Sequence, residues 1–273
     1  MQKVVVLGAS GLVGSAIVEA CKGDYDVYGT YYSKLAGLPA HRQCKLDVNQ
    51  YEDCLEWIRN TEPDIVISCM RGDYTKQLEF HRDLALQLNE TNSRLYYFST
   101  TNVFDGDYSS HHAETDIPIS QTDYGKFKIT CEQVLQGLLG DRAIIIRIPA
   151  IWGKHCPRLD AIYSSMKTIE PIVVYADLEC DNLLDVDLAK QLRYVIDHAL
   201  TGVFHLTSTD MMTHAQWYEQ LISKLSGNLE VLQYNRVGDT QDRYYFGLIT
   251  ERSDMPDFLR STSEQMIAYL LNE

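Results

Sequence analysis

Lys3-Val4-Val5-Val6-Leu7-Gly8-Ala9-Ser10-Gly11-Leu12-Val13-Gly14 is the stretch that decides the fold. Its first five residues are dominated by β-branched side chains, which suit a strand buried on both faces. Leu12–Cys21 then carries apolar residues at helical spacing. Between strand and helix stand Gly8, Gly11 and Gly14, a G-x-x-G-x-x-G loop. Glycines at these positions let the backbone turn tightly and approach a pyrophosphate. The helix N-terminus then aims N–H groups and partial positive charge at the phosphates. The context of strand, loop and helix turns a weak glycine pattern into a dinucleotide-binding expectation at Gly8, Ser10, Gly11, Leu12 and Gly14.

Outward from this loop, strand-like and helix-like segments alternate. Asp26–Tyr31, Gln43–Leu46, Ile65–Ser68, Leu95–Ser99 and Ala143–Ile148 read as strands. Tyr51–Arg59, Leu78–Leu88 and Lys126–Leu139 read as helices between them. Such alternation implies right-handed βαβ units and a parallel sheet. The expected fold is therefore α/β, a Rossmann-type doubly wound parallel sheet over residues 1–150. Beyond Pro149 the pattern is more broken. Ile172–Tyr175 and Val203–Leu206 read as strands, and Val186–His198 and His214–Leu225 as helices. Residues 151–273 are expected to form mainly a smaller α/β substrate lobe, with segments from about 172 to 206 returning to the first domain. Ser261 and Glu264 have capping-box spacing at the start of a terminal helix.

The chain has 273 residues, 24 Lys plus Arg and 38 Asp plus Glu, for a net charge of −14. That balance argues against nucleic-acid or anionic-membrane partners. It still admits a small anionic ligand held by local donors. No apolar run reaches the roughly 18–20 residues needed to span a bilayer. The N-terminus reads as a strand and not as a signal peptide, so a cytoplasmic protein with free thiols is expected. The seven cysteines are scattered without a CxxC pair, and the eight histidines show no ligand spacing. No metal is expected.

The end of the second strand reports on the cofactor ribose. Here Tyr31, Ser33 and Lys34 offer hydroxyls and a cation, and no acid stands among Gly29–Lys34. This favours NADP, with NAD as the alternative. Asp47 and Val48, in LDVN, sit where an adenine would be met; the competing role for Asp47 is a helix N-cap.

Tyr124-Gly125-Lys126-Phe127-Lys128 contains Y-x-x-x-K. An i, i+4 spacing puts Tyr124 and Lys128 on one helix face. A phenol with a pKa near 10 is a poor acid–base at neutral pH unless a cation stabilises its anion. Upstream, Ser99-Thr100-Thr101-Asn102 closes a strand with hydroxyls able to meet the same substrate oxygen.

With these pieces in order, the chain resembles the extended short-chain dehydrogenase/reductase family, and within it the dTDP-4-dehydrorhamnose reductase group. The likeness rests on GASGLVG, LDV, PDIVIS, FSTTNVFDG, AETDIPIS, YGKFK, RIPAIWG, LLDVDLA and GVFHLTS. It implies an NAD(P)-dependent oxidoreductase, a reductase or epimerase, acting on a nucleotide-activated sugar, with a homodimer compatible. By motif position, Thr100, Tyr124 and Lys128 fall at the catalytic triad. Ser99 and Ile148 fall beside the nicotinamide, together with Tyr124 and Lys128. Related dehydratases carry an Asp–Glu pair where this chain has Thr101 and Asn102, which disfavours 4,6-dehydration. The stretch between Ser68 and Leu95 reads as short, and no counterpart of the family's Asn is found there. Thr101, Asn102, Trp152, Arg158 and Asn182 are the candidate substrate contacts. Arg147, Lys154 and His155 are further cations near the same strand end. The pair His111-His112 reads as a solvated loop. The alternative reading is a cofactor-binding regulatory or scaffold protein without turnover, because fold alone does not fix function.

Overall fold

A computed structural model describes residues 1–168, 170–225, 228–239 and 242–271. The first half runs β1 (Lys3–Leu7), α1 (Leu12–Cys21), β2 (Asp26–Tyr31), β3 (Gln43–Lys45), α2 (Glu52–Thr61), β4 (Ile65–Ser68), α3 (Tyr74–Asn89), β5 (Arg94–Thr100), α4 (Asp123–Leu139) and β6 (Ala143–Ile148). The second half continues β7 (Ala150–Trp152), α5 (Pro157–Thr168), β8 (Ile172–Tyr175), β9 (Leu178–Cys180), β10 (Asn182–Leu184), α6 (Asp185–Asp197), β11 (Val203–His205), β12 (Met212–Thr213), α7 (His214–Leu225), β13 (Leu232–Asn235), β14 (Tyr244–Phe246) and α8 (Ser263–Leu270).

A seven-stranded sheet in the order β3-β2-β1-β4-β5-β6-β11 forms the centre, with every pair parallel. The order reverses at β1, the strand that carries the glycine loop. A ligand crevice is expected there, outside the carboxyl ends of the strands. Val4 and Val6 face one way into a core shared with Ile17 and Val18 of α1 and Leu188 and Leu192 of α6. Val5 and Leu7 face the other way, onto Ile58 of α2, Phe80 and Leu84 of α3 and Leu135 of α4. The period-2 alternation of a strand thus splits one valine run between two cores.

Two expectations about the later chain change. β8 pairs with β13 in a separate small sheet, while α6 and β11 join the large sheet's layers. The return to the large sheet's core thus begins at Leu183, just ahead of α6. The cap of the terminal helix falls one residue later than expected. Thr262 is its N-cap, and Thr262 and Gln265 exchange the capping-box bonds in place of Ser261 and Glu264. Ser261 instead donates to Asp187 at 2.6 Å. The lobe has its own core, built around Trp152, Trp217, Leu221 and Met266. Among the described residues no helix is long and apolar enough to cross a membrane. No cluster of potential metal ligands occurs among them.

Candidate functional site

The glycine loop is fixed by close approach. Gly8 has φ +83°, in the left-handed region that favours glycine. A Cβ on Gly14 would lie 2.1 Å from the Gly8 carbonyl oxygen, so the first turn of α1 packs directly on the loop. The Gly8 amide donates to Thr30 Oγ1 at 3.0 Å, and Ala9 N donates to Thr30 O at 2.9 Å, tying the loop to β2. Gly11 is the N-cap of α1 and supplies no side-chain acceptor, and the first turn holds no acid. Among the described residues the helix N-terminus therefore has no side-chain cap.

Beside this loop, a cleft of about 690 Å³ opens between the sheet's carboxyl edge and the lobe. Val13, Cys69 and Arg71 line it next to the glycine loop. Cys69 O lies 3.1 Å from where a Gly8 Cβ would be. Thr100, Tyr124 and Lys128 all reach this cleft, with Ser99, Thr101, Asn102 and Ile148 beside them. Trp152, Arg158 and Asn182 line it from the lobe side. A larger hollow of about 900 Å³ lies around Gln2, Asp64 and Arg94, at the amino ends of β1, β4 and β5. Of the sequence motifs it meets only the start of PDIVIS, at Pro63, Asp64 and Ile65, and none of the candidate site residues.

Tyr124 is held in place by a network that begins at Asp105. The Asp105 carboxylate takes Ser120 Oγ at 2.7 Å, the Gln121 amide at 2.6 Å and Thr122 Oγ1. Burial raises its pKa, but these bonds outweigh that and hold it below the usual carboxylate value. Thr122 in turn caps α4, its hydroxyl accepting from Gly125 N at 3.1 Å. Tyr124 thereby falls in the first turn of α4, half-buried, with its ring 5.6 Å from that of Tyr74.

Burial raises the Tyr124 pKa, and the Thr100 hydroxyl and the Arg71 charge oppose that rise. Thr100 Oγ1 donates to Asn102 Oδ1 at 3.0 Å and accepts from Asn102 N at 3.2 Å. Thr101 Oγ1 donates to Ile148 O at 3.2 Å. Lys128 is fully buried, and its ammonium donates to Phe98 O at 2.8 Å. It sits 4.6 Å from the Tyr97 ring centroid and 6.0 Å from that of Tyr124. Burial pushes its pKa down to about 8. Ser99 Oγ is buried without a partner at the same strand end.

Several expected residues take other places. Gly8, Ser10, Gly11, Leu12, Gly14, Tyr31, Ser33, Lys34, Asp47 and Val48 do not line the cleft. Ser33 and Lys34 are exposed past the end of β2. Val48 approaches the loop after β4, its Cγ2 being 3.9 Å from where a Gly72 Cβ would be. Asp47 is not a helix N-cap, because Tyr51 holds that position; its Oδ1 instead accepts from the backbone and side chain of Asn49, both at 2.9 Å. Arg147 is no ligand contact. It is 4% exposed and makes a two-pronged ion pair with Glu132, at 2.8 and 3.2 Å. Lys154 lies over the Tyr269 ring at 4.7 Å, and neither it nor His155 lines the cleft. Trp152 is 1% exposed and donates to Asn182 Oδ1 at 2.7 Å, so it is first a core residue of the lobe. His112 is not solvated: it is buried and stacked on Phe104 at 4.2 Å.

Arg71, Tyr175, Asp181, His214 and Tyr218 also line the cleft, and no motif points to them. Arg71, Tyr175 and Asp181 come from separate loops and a strand end, and His214 and Tyr218 from one face of α7.

A family model described as the RmlD substrate binding domain matches residues 1–233. The chain belongs to that family. The RmlD assignment is joined by similarity to a dTDP-4-keto-6-deoxy-D-glucose reductase of Streptomyces niveus, 24% identical over 261 residues, or 88% of this chain and 86% of that one. The dTDP-4-dehydrorhamnose reductase of Bacillus anthracis, solved in complex with NADP, matches with a TM-score of 0.78 and 20% identity, over 100% of this chain and 99% of that one. The Bordetella bronchiseptica enzyme WbmH, solved with NAD+, matches with a TM-score of 0.81 and 17% identity, over 100% and 98% of the two chains. The RmlD-type fold therefore spans the whole chain.

Proposed function

We propose that this chain is an NAD(P)-dependent reductase of a nucleotide-activated keto sugar, in which Tyr124 is the acid–base, assisted by Thr100 and Lys128. The observation that carries this reading is the meeting of Thr100, Tyr124 and Lys128 in one cleft beside the glycine loop. The Streptomyces relative named as a keto-sugar reductase and the Bacillus structure solved with NADP support it.

The residues present fit a dinucleotide. The Gly8–Gly14 cradle leaves the start of α1 without a side-chain cap, and Ser99 offers a hydroxyl with no partner among the described residues. Gly8, Ser10, Gly11, Leu12 and Gly14 would hold the pyrophosphate. Tyr31, Ser33 and Lys34 would meet the adenosine ribose, and Asp47 and Val48 the adenine. Ser99, Ile148, Tyr124 and Lys128 would face the nicotinamide end. Exposed Lys34 and the lack of an acid after β2 favour NADP over NAD. When bound, the reduced nicotinamide supplies a hydride.

Tyr124 would donate its phenolic proton to the carbonyl oxygen of the substrate as that oxygen gains negative charge. Thr100, locked by its two bonds to Asn102, would orient the same oxygen. Lys128 stands behind the tyrosine as a buried cation and keeps a proton at the pocket floor. Such a positioned acid contributes about 10²–10⁴-fold to rate. Thr101 and Asn102 line the same wall without a carboxylate, which suits reduction better than dehydration.

The cleft is also electropositive in an acidic chain. Arg71, Lys128 and Arg158 line it, and burial pushes the Asp181 carboxyl up to about 8, so that it is neutral at pH 7. An excess of cations in a cleft attracts an anion such as a diphosphate. Arg158 on α5 would meet that diphosphate, with Trp152 and Asn182 shaping the sugar side.

The test is a fluorescence titration of wild type and Gly11→Asp with NADPH and NADH, followed by a panel of keto-sugar nucleotides scored by loss of NADPH absorbance. The reading predicts micromolar binding that Gly11→Asp abolishes, and turnover on at least one sugar nucleotide. Tight cofactor binding without turnover on any of them, with a protein partner co-purifying, would favour the regulatory alternative.

A further inference from the structure

Asp181 stands between β9 and β10, and the site as proposed gives it no task. It is 2% exposed, yet it lines the cleft. Its Oδ1 accepts from Leu248 N at 3.3 Å, while its Oδ2 is buried with no partner among the described residues. Buried polar atoms are nearly always paired, and an orphan costs the full desolvation of the group. Orphans of this kind in a binding cleft mark the place where a ligand atom completes the bond.

The neighbouring residue has the same arrangement. Asn182 Oδ1 is taken by Trp152 Nε1 at 2.7 Å, which turns its amide NH2 away from that bond. Two adjacent planar polar groups are thus each anchored at one end. Tyr175 and Phe246 stand with them in the cleft wall. Anchored planar polar groups flanked by aromatic faces suit a ring bearing hydroxyls, because each hydroxyl both donates and accepts while the ring's C–H face packs on the aromatic.

Resting on the nucleotide-sugar reading above, we propose that Asp181 is a specificity residue whose free carboxyl oxygen hydrogen-bonds a hydroxyl of the sugar ring. The strands around it make the position rigid. β9 pairs with both β12 and β14, and β10 pairs with β7, so the carboxyl is held between two small sheets. Burial also keeps the group neutral near pH 7, since its pKa rises to about 8. A neutral carboxyl can donate as well as accept, and it does not repel the diphosphate of the same ligand.

The test uses Asp181→Ala and the conservative Asp181→Asn in full-length protein. Calorimetric titration compares dTDP-, UDP- and GDP-linked hexoses, each against its own nucleoside diphosphate. Wild type should bind at least one sugar nucleotide more tightly than the bare diphosphate. Asp181→Ala should weaken the sugar nucleotide by roughly tenfold or more while leaving the diphosphate unchanged. Asp181→Asn retains a hydrogen-bonding group and an acceptor for Leu248 N, and should recover much of the loss. In turnover, KM should rise in the alanine variant with kcat little changed. Equal weakening of both ligands, or no change in their ratio, overturns the assignment and leaves Asp181 as a cap for Leu248. Failure of wild type to bind any of the sugar nucleotides overturns the nucleotide-sugar reading itself, and this assignment with it.

Discussion

Gly125 rests against Asn102 so closely that a Cβ on the glycine would lie 2.2 Å from the Asn102 carbonyl oxygen. The same Cβ would lie 2.1 Å from Ser120 Oγ. The two halves of the candidate catalytic group are therefore seated on each other, Thr100 at the end of β5 just before Asn102 and Tyr124 at the start of α4. Gly125→Ala should force them apart. The expected cost is about 1–3 kcal/mol, as for other overpacked sites, together with a fall in turnover larger than the fall in cofactor affinity. Urea unfolding and parallel kcat and Kd measurements check this.

Arg71 is the cation that acts on Tyr124. A positive charge favours the phenolate, so it lowers the tyrosine's pKa, and its removal must raise it. Reduction needs the protonated phenol. In Arg71→Met, the alkaline decline of the reduction rate should therefore move to higher pH. Because Arg71 is exposed, high salt should produce part of the same shift in wild type. Rate profiles against pH at low and high ionic strength test both statements. A decline that stays in place would remove Arg71 from the proton balance.

Lys128 should cost stability in return for its function. Burial lowers its pKa from 10.5 to about 8. Between these values the unfolded chain holds a proton that the folded chain does not, so stability rises with pH across that window. Below about pH 8 the full penalty is present, on the order of 3 kcal/mol. Lys128→Met loses the bond to Phe98 O, worth about 1 kcal/mol. The variant should thus be more stable than wild type at pH 7, with the advantage shrinking toward pH 10, while turnover is lost. Denaturation midpoints at several pH values decide this.

Arg147 should prove structural. Its partner Glu132 is 4% exposed, and removing one member of a buried pair leaves an uncompensated charge. Arg147→Met is expected to lose about 3–5 kcal/mol of stability. Wherever the variant remains folded, its sugar-nucleotide affinity should match wild type, as read by calorimetry at low temperature.

The difference between Arg147 and Tyr124 shows how far the sequence could be read. Tyr124 belongs to a spacing whose chemistry is local, since four residues along a helix place the lysine on its face. Lys3–Leu7 and the loop to Gly14 were legible for the same reason: strand, turn and helix follow one another without a gap. Arg147 looked like a ligand contact because it ends a strand at the carboxyl edge. Its partner Glu132 sits on α4, 15 residues away, and nothing in the spacing announces the pairing. Asp181 was hidden differently. It lies between two three-residue strands whose partners come from β7, β12 and β14, so its burial depends on long-range pairing. The lobe's short strands were missed on the same account, because a three-residue strand carries too little alternation to be read.

The most direct measurement is NADPH oxidation by wild type and Tyr124→Phe, on the sugar nucleotide that the panel identifies, with cofactor affinity measured in parallel. Phenylalanine keeps the ring against Tyr74 and removes only the proton donor. Tyr124→Phe should bind NADPH as wild type does and lose about 10²–10⁴-fold in turnover. Turnover by Tyr124→Phe equal to that of wild type would contradict the assignment of Tyr124 as the acid–base.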